Sequence, residues 1–158
     1  MLQKLKPYII SVVIALAVGG LSAVITSGSM DVYENLNQPA LAPPSVVFPI
    51  VWTILFALMG ISAAIVYKFR NEKPDEVRNA FIVYGVNLAV NFLWSIIFFN
   101  MQAYLFAFIW LVLLWIVIAA MILLFRKVSP LAAYLQIPYL LWVTFAGYLN
   151  LMIYLLNR

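Results

Sequence analysis

The stretch Ala103–Phe125, AYLFAFIWLVLLWIVIAAMILLF, runs for 23 residues without a single charge. About 20 apolar residues in a helix, rising ~1.5 Å each, match the ~30 Å hydrocarbon core of a bilayer. Working outward from it, four more runs of this kind appear: Tyr8–Thr26, Val46–Tyr67, Asn79–Phe99 and Leu131–Leu156. They are continuous and rich in Leu, Ile and Val, whereas a membrane barrel reads as short alternating segments. The 158 residues are 67% hydrophobic and 9% charged, with mean hydropathy +1.09. A soluble domain of this size could not hide so much apolar surface. The expectation is an all-α membrane protein, a single domain over residues 1–158 built as a bundle of five transmembrane helices. Lys4 and Lys6 ahead of an apolar run resemble the start of a signal peptide. The run is long for one, and no A-x-A pattern precedes Ser29, so the first helix is read as uncleaved.

Charge placement orients the bundle. Lys4 and Lys6 precede the first run. Lys68, Arg70, Lys73 and Arg78 separate the second from the third, and Arg126 and Lys127 the fourth from the fifth. With five spans these three groups share one side, and basic residues mark the cytoplasmic side. The amino terminus is then cytoplasmic, with the first long loop and the carboxyl terminus outside. The net charge of +4 reflects this distribution. There is no soluble basic face with stacking aromatics, so no nucleic-acid partner is expected.

The first long loop is unusual. Leu36–Trp52, LNQPALAPPSVVFPIVW, packs Pro39, Pro43, Pro44 and Pro49 ahead of Phe48 and Trp52. Proline fixes φ and removes a backbone donor, so the run is expected to resist regular helix. Its aromatics set it apart from a flexible linker. A stiff, ordered loop that lids a binding site fits this composition.

What the spans lack is informative. Every Lys, Arg, Asp and Glu lies outside the apolar runs or at their edges, and there is no His and no Cys. Proton relays and ion-coupled transport ordinarily need intramembrane ionisable groups. Thiolate and imidazole metal sites are excluded, so no metal site and no required cofactor are expected. No His is present to activate a Ser or Thr nucleophile.

The polar groups inside the spans are neutral. Asn87, Asn91 and Ser95 recur every four residues, with Trp94 and Phe98 adjacent, and this spacing sets them on one helical face. An Asn in hydrocarbon needs partners, so the stripe faces the interior. It serves either as interhelical hydrogen bonding or as the polar wall of a ligand cavity. The last span carries Gln136, Pro138, Tyr139, Trp142, Thr144, Phe145, Ala146 and Asn150. Tyr139, Trp142 and Ala146 share a face, where a small residue beside two large aromatics leaves room for a flat ligand; ordinary packing accounts for them equally well. Trp110 and Trp115 lack polar company in their run and read as lipid-facing or core residues. Ala15, Gly19, Ala23 and Ser27 put small residues at every fourth position of the first span, with Gly85 and Ala89 a shorter version in the third. Such faces pack within a bundle or form a homodimer contact. Leu151 to Arg158 loosely matches a pattern proposed for cholesterol contact, and an interfacial Tyr154 with a snorkelling Arg158 explains it as well.

Three of these segments together, the Pro-rich loop, Asn91–Phe99 and Pro138–Asn150, resemble the TspO/MBR family. It takes in bacterial tryptophan-rich sensory proteins and the mitochondrial translocator protein, also called the peripheral-type benzodiazepine receptor. The resemblance covers nearly the whole chain. It implies a five-helix bundle, often dimeric, with a cavity under the first loop, and association with porphyrins, sterols and benzodiazepine-site ligands. Carried over by motif, the implied pocket holds Tyr33, Pro43, Trp52, Phe56, Asn91, Trp94, Trp142, Phe145 and Ala146, to which the polar stripe and the last span add Asn87 and Tyr139. Trp52 and Trp142 match the two tryptophans proposed to act in porphyrin chemistry. Val32, Ala40, Leu41 and Val47 stand where the family often has aromatics.

The functional expectation is a membrane protein that binds tetrapyrroles such as protoporphyrin IX, or another flat apolar molecule, for sensing or transport. Its partners are that small molecule and membrane lipid, with a homodimer as a further possibility. Light- and oxygen-dependent porphyrin breakdown through Trp52 and Trp142 is the catalytic alternative, and a structural protein holding sterol or lipid is the third.

Overall fold

A computed structural model describes residues 1–158. It contains helices and connections and no strand. The helices are α1 (Leu2–Thr26), α2 (Met30–Glu34), α3 (Val47–Lys68), α4 (Pro74–Ser95), α5 (Tyr104–Val128), α6 (Pro130–Tyr134) and α7 (Ile137–Leu156). Five segments are long and apolar enough to cross a membrane: Leu2–Glu34, Val47–Lys68, Pro74–Asn100, Tyr104–Val128 and Pro130–Leu156. These are the five expected spans with shifted edges.

The shifts have local causes. Helix α1 begins at Leu2 and carries Pro7 inside it, well ahead of the apolar run. Helix α3 begins at Val47, so Pro49 and Trp52 are helical, contrary to the expectation that the whole Leu36–Trp52 run resists helix. Pro49 is tolerated because the first turn's N–H groups have no intrahelical partner to lose. Pro74 opens α4, with Asp75 and Glu76 in its first turn facing the positive end of the helix dipole. The last span is broken at Leu135 and Gln136, which puts Pro138 in the first turn of α7 rather than at a kink within a longer helix. Ser129 caps α6, its Oγ accepting from the Ala132 N–H at 3.4 Å.

Around the bundle the spans run α1, α4, α5, α7, α3. Helix α1 packs chiefly on α3 and more lightly on α4, while α5 packs on both α4 and α7. Aromatic rings fill the gap between α3 and α7: Phe48 meets Trp142 at 6.0 Å and Trp52 meets Tyr139 at 6.2 Å. The core holds Met59, Ala63, Val66, Leu114, Ile118, Met121 and Phe125, all fully buried.

The basic groups gather at one end, as the charge pattern required. Lys68 Nζ lies 4.6 Å over the Tyr8 ring, and Lys73 Nζ donates to the Lys127 carbonyl at 3.0 Å. Near mid-span α1 and α3 touch backbone to backbone: a Cβ on Gly60 would stand 2.5 Å from Val12 Cα. Ser62 Oγ donates to the Ala132 carbonyl at 2.6 Å, fastening α3 to α6. Gly85 and Ala89 are exposed on α4, with nothing in the chain near Gly85.

Candidate ligand-binding site

The site grows from the polar stripe on α4. Asn91 Nδ2 donates to Tyr139 Oη at 2.6 Å, and that hydroxyl donates onward to Asn87 Oδ1 at 2.7 Å. Asn87 Nδ2 points to Met59 Sδ at 3.7 Å. All three polar residues are buried. The chain of bonds ties α4 to α7 and satisfies amides that would otherwise be costly in hydrocarbon. Asn91 Oδ1 has no partner in the protein. One turn further, Trp94 Nε1 donates to Asn150 Oδ1 at 3.2 Å, and Asn150 Nδ2 to the Tyr104 carbonyl at 2.8 Å. Asn87 is therefore spent on holding helices together, whereas Asn91 both holds Tyr139 and borders an open space.

That space is a cavity of about 130 Å³ between α1, α3, α4 and α7. Tyr33, Phe48, Trp52, Phe56, Trp94, Phe98 and Phe99 supply its aromatic wall, and Asn91, Ser95 and Asn150 its α4 and α7 polar edge. No charged residue lines it. Helix α1 contributes Gly19, Ser22, Ala23 and Thr26. Ala15 and Gly19 of the small-residue stripe thus pack within the bundle, where a Cβ on Gly19 would lie 2.6 Å from the Phe56 ring, while Ala23 and Ser27 are exposed.

A π-turn shapes the outer wall. Residues Ile96–Asn100 leave the α-helical register, and the Met101 N–H bonds the Ile96 carbonyl at 3.0 Å. The widened turn brings the consecutive Phe98 and Phe99 to the same cavity, with ring centroids 4.9 Å apart; such turns recur at functional sites. Trp94 stacks on Phe98 at 5.3 Å.

Helix α2 covers the outer end with Met30 and Tyr33. The Tyr33 ring meets Phe48 at 5.7 Å and Phe99 at 5.8 Å, and its buried hydroxyl has no partner. The Pro-rich connection, residues 35–46, lies outside α2 and puts no side chain on the cavity wall. Surface hydrogen bonds hold it, with Leu36 packed against the core and Pro39 buried. Asn37 N–H donates to Asn157 Oδ1 at 2.9 Å, and Asn157 Nδ2 returns a bond to the Asn37 carbonyl at 2.9 Å. Ser45 Oγ donates to Glu34 Oε1 at 2.9 Å, and Gln38 Nε2 to the Tyr33 carbonyl at 3.1 Å.

Of the residues read from the sequence, Tyr33, Trp52, Phe56, Asn91, Trp94 and Ala146 come together on the cavity wall. Asn87 and Tyr139 stand behind Asn91. Pro43, Trp142 and Phe145 are elsewhere. Tyr139 and Ala146, seven residues apart, return to nearly the same face of α7. Trp142 and Phe145 sit to its side and line a shallow apolar groove with Val51, Ile54, Leu55 and Pro138. Phe48 stands between the two regions, touching Trp142 and lining the cavity. Trp110 and Trp115 do have polar partners: Trp110 Nε1 donates to the Val90 carbonyl at 2.8 Å, and Trp115 Nε1 to Thr144 Oγ1 at 2.9 Å. Sequence reasoning passed over Ser22, Thr26 and Met30; the spacing of Gly19, Ser22 and Thr26 on one face of α1 was the available signal.

Five apolar spans packed around a neutral, aromatic-walled cavity define an integral membrane protein. The sequence profile of the TspO/MBR family matches residues 11–156, and the chain belongs to that family. It is 43% identical over 125 residues to the tryptophan-rich protein TspO of Chlorobaculum tepidum, covering 79% of this chain and 78% of that one. To the tryptophan-rich sensory protein of Cereibacter sphaeroides it is 36% identical over 118 residues, 75% of this chain and 72% of the relative. To the translocator protein of Ovis aries it is 33% identical over 118 residues, 75% and 70% of the two chains.

Proposed function

We propose that the protein binds a tetrapyrrole of the protoporphyrin IX type in the α1–α3–α4–α7 cavity, for sensing or transport. The observation that carries this reading is a cavity walled by seven aromatic rings, free of charge, with the unpartnered Asn91 Oδ1 at its edge. Ring faces suit a flat π-system, and a single amide oxygen suits a pyrrole N–H. The names sensory protein and translocator protein among its relatives agree with sensing or transport.

A space of about 130 Å³ holds a molecule roughly the size of benzene. A tetrapyrrole therefore requires the cover to move outward. Helix α2 and the 35–46 connection are the parts that do so: the connection is clasped largely by exposed hydrogen bonds worth about 1 kcal/mol each, and α2 withdraws the Tyr33 ring from between Phe48 and Phe99. In this reading the Pro-rich connection stiffens the lid and α2 is its inner surface. The basic end faces the cytoplasm of a bacterial cell and the lid opens on the other side. The exposed Gly85–Ala89 face of α4 is the surface assigned to homodimer contact.

The test is titration of detergent-purified protein with protoporphyrin IX in the dark, followed by quenching of tryptophan emission. Wild type should quench saturably, and Asn91→Ala should bind about tenfold more weakly, a loss of ~1.4 kcal/mol. Quenching that never saturates, or that ignores the substitution, rejects the reading. Light-dependent breakdown is the second reading, favoured by Trp52 on the cavity wall; Trp142 reaches that wall only through Phe48. Illuminated Trp52→Phe should then keep binding and lose products, and unchanged products would rule out a role for this indole.

A further inference from the structure

A second recess lies at the basic end, away from the cavity and independent of the reading above. It is a groove of about 640 Å³ between α1, α3 and α4. Ile10, Ile14, Ala63, Ala64 and Phe81 make most of its floor, Ser11 and Tyr84 add hydroxyls to it, and Lys6 and Arg70 supply its cations. No Asp or Glu lines it. The single ion pair in the chain joins Arg78 to Asp75, so neither Lys6 nor Arg70 is neutralised. Arg70 is held in place: its Nη1 donates to the Tyr67 carbonyl at 3.2 Å and its guanidinium lies 4.2 Å over the Tyr67 ring.

The length of the groove matters as much as its charge. Along α1 it runs from Gln3 to Ile14, about 16 Å at ~1.5 Å per residue. That is roughly half of the ~30 Å hydrocarbon core, the depth of one leaflet. A recess with cations at the headgroup level and an apolar floor reaching about 12 Å below them, from Lys6 to Ile14, matches the two parts of a phospholipid. A soluble anion would use the cations and leave the floor empty.

We propose that this groove is a site for one anionic phospholipid of the leaflet at the basic end, its phosphate between Lys6 and Arg70 and an acyl chain along Ile10, Ile14 and Phe81. Basic recesses between transmembrane helices hold anionic headgroups in this way. Occupancy would brace α1 against α3 and α4 at the end opposite the lid.

Native mass spectrometry of the purified full chain, given equal phosphatidylglycerol and phosphatidylcholine, tests this. Wild type should retain a single phosphatidylglycerol in preference to phosphatidylcholine. The Lys6→Gln/Arg70→Gln variant should lose that preference by about tenfold. Both residues are exposed, so the variant folds. Arg126→Gln/Lys127→Gln removes the same charge from the same end and should retain the lipid like wild type. Excess inorganic phosphate should leave the adduct in place. Equal retention of the two lipids, displacement by phosphate, equal loss in both double variants, or wild-type retention in Lys6→Gln/Arg70→Gln would each overturn the proposal.

Discussion

The two ends of this bundle are built differently. From mid-span to the basic end α1 meets α3 at Gly60 with no side chain between the backbones, Ser62 is bonded to α6, and α5 passes to α6 through Ser129 alone. At the other end the helices are propped apart by aromatic rings, a cavity remains, and α2 is joined to α3 by the connection 35–46. Along the α1–α3 seam the bundle is closed by backbone contact, with the lipid-side groove to one side of it; the other end is closed by the Tyr33 ring of α2 and a clasp of surface amides. Packing of this kind is hard to open, while exposed hydrogen bonds exchange readily with water. The proposed admission of a ligand into an intact bundle draws on both, and here they are separated along the bundle axis.

Substitutions can break this contrast. Gly60→Val should cause the largest loss, about 3 kcal/mol, because a Cβ meets the backbone of Val12, which cannot step aside. Thermal unfolding in detergent reads it, and an unchanged melting temperature would mean the α1–α3 seam is not closed by backbone contact. Next is Tyr139→Phe, which removes the hydroxyl shared by Asn87 and Asn91. Leaving two buried amides short of a bond should cost roughly 2 kcal/mol of stability. Wild-type stability in that variant would show that the amides find other partners.

Ala146→Leu sharpens the comparison from the open end. Its added volume enters the cavity, so tetrapyrrole affinity should fall about tenfold, ~1.4 kcal/mol, with little change in melting temperature. Equal affinity in the dark titration would move the ligand elsewhere. The smallest effect belongs to Asn157→Ala, which opens the Asn37 clasp. It should cost about 1 kcal/mol or less, speed hydrogen exchange across residues 35–46 and quicken porphyrin association. Unaltered exchange would show that the proline-stiffened connection holds itself closed without the clasp.

Much of the site was legible because neutral polar residues in a membrane span have few reasons to exist. The four-residue spacing of Asn87, Asn91 and Ser95 fixed the inner face of α4, and Tyr139 and Ala146 fixed that of α7. The resemblance to known relatives added Tyr33 and Phe56, which no periodicity singled out. Trp142 was harder. Its spacing to Ala146 is compatible with the cavity, and only the approach of Phe48 from α3 shows that it lies to one side. The π-turn was not legible, since nothing in IIFFN distinguishes five-residue from four-residue hydrogen bonding.

Sequence alone determined the membrane class, the five spans, the end that carries the cations and the lack of Lys, Arg, Asp, Glu, His and Cys inside them. These follow from local hydropathy and charge, which do not depend on what each helix touches. The tertiary structure decided which stripe became glue and which became wall, where α1 lends small residues to the cavity, that α2 rather than the prolines covers it, and that a second groove opens between the lysine of one helix and the arginine beyond another. Those are properties of surfaces brought together from distant parts of the chain, and the relative rotation of packed helices is set by shape complementarity that no single span encodes.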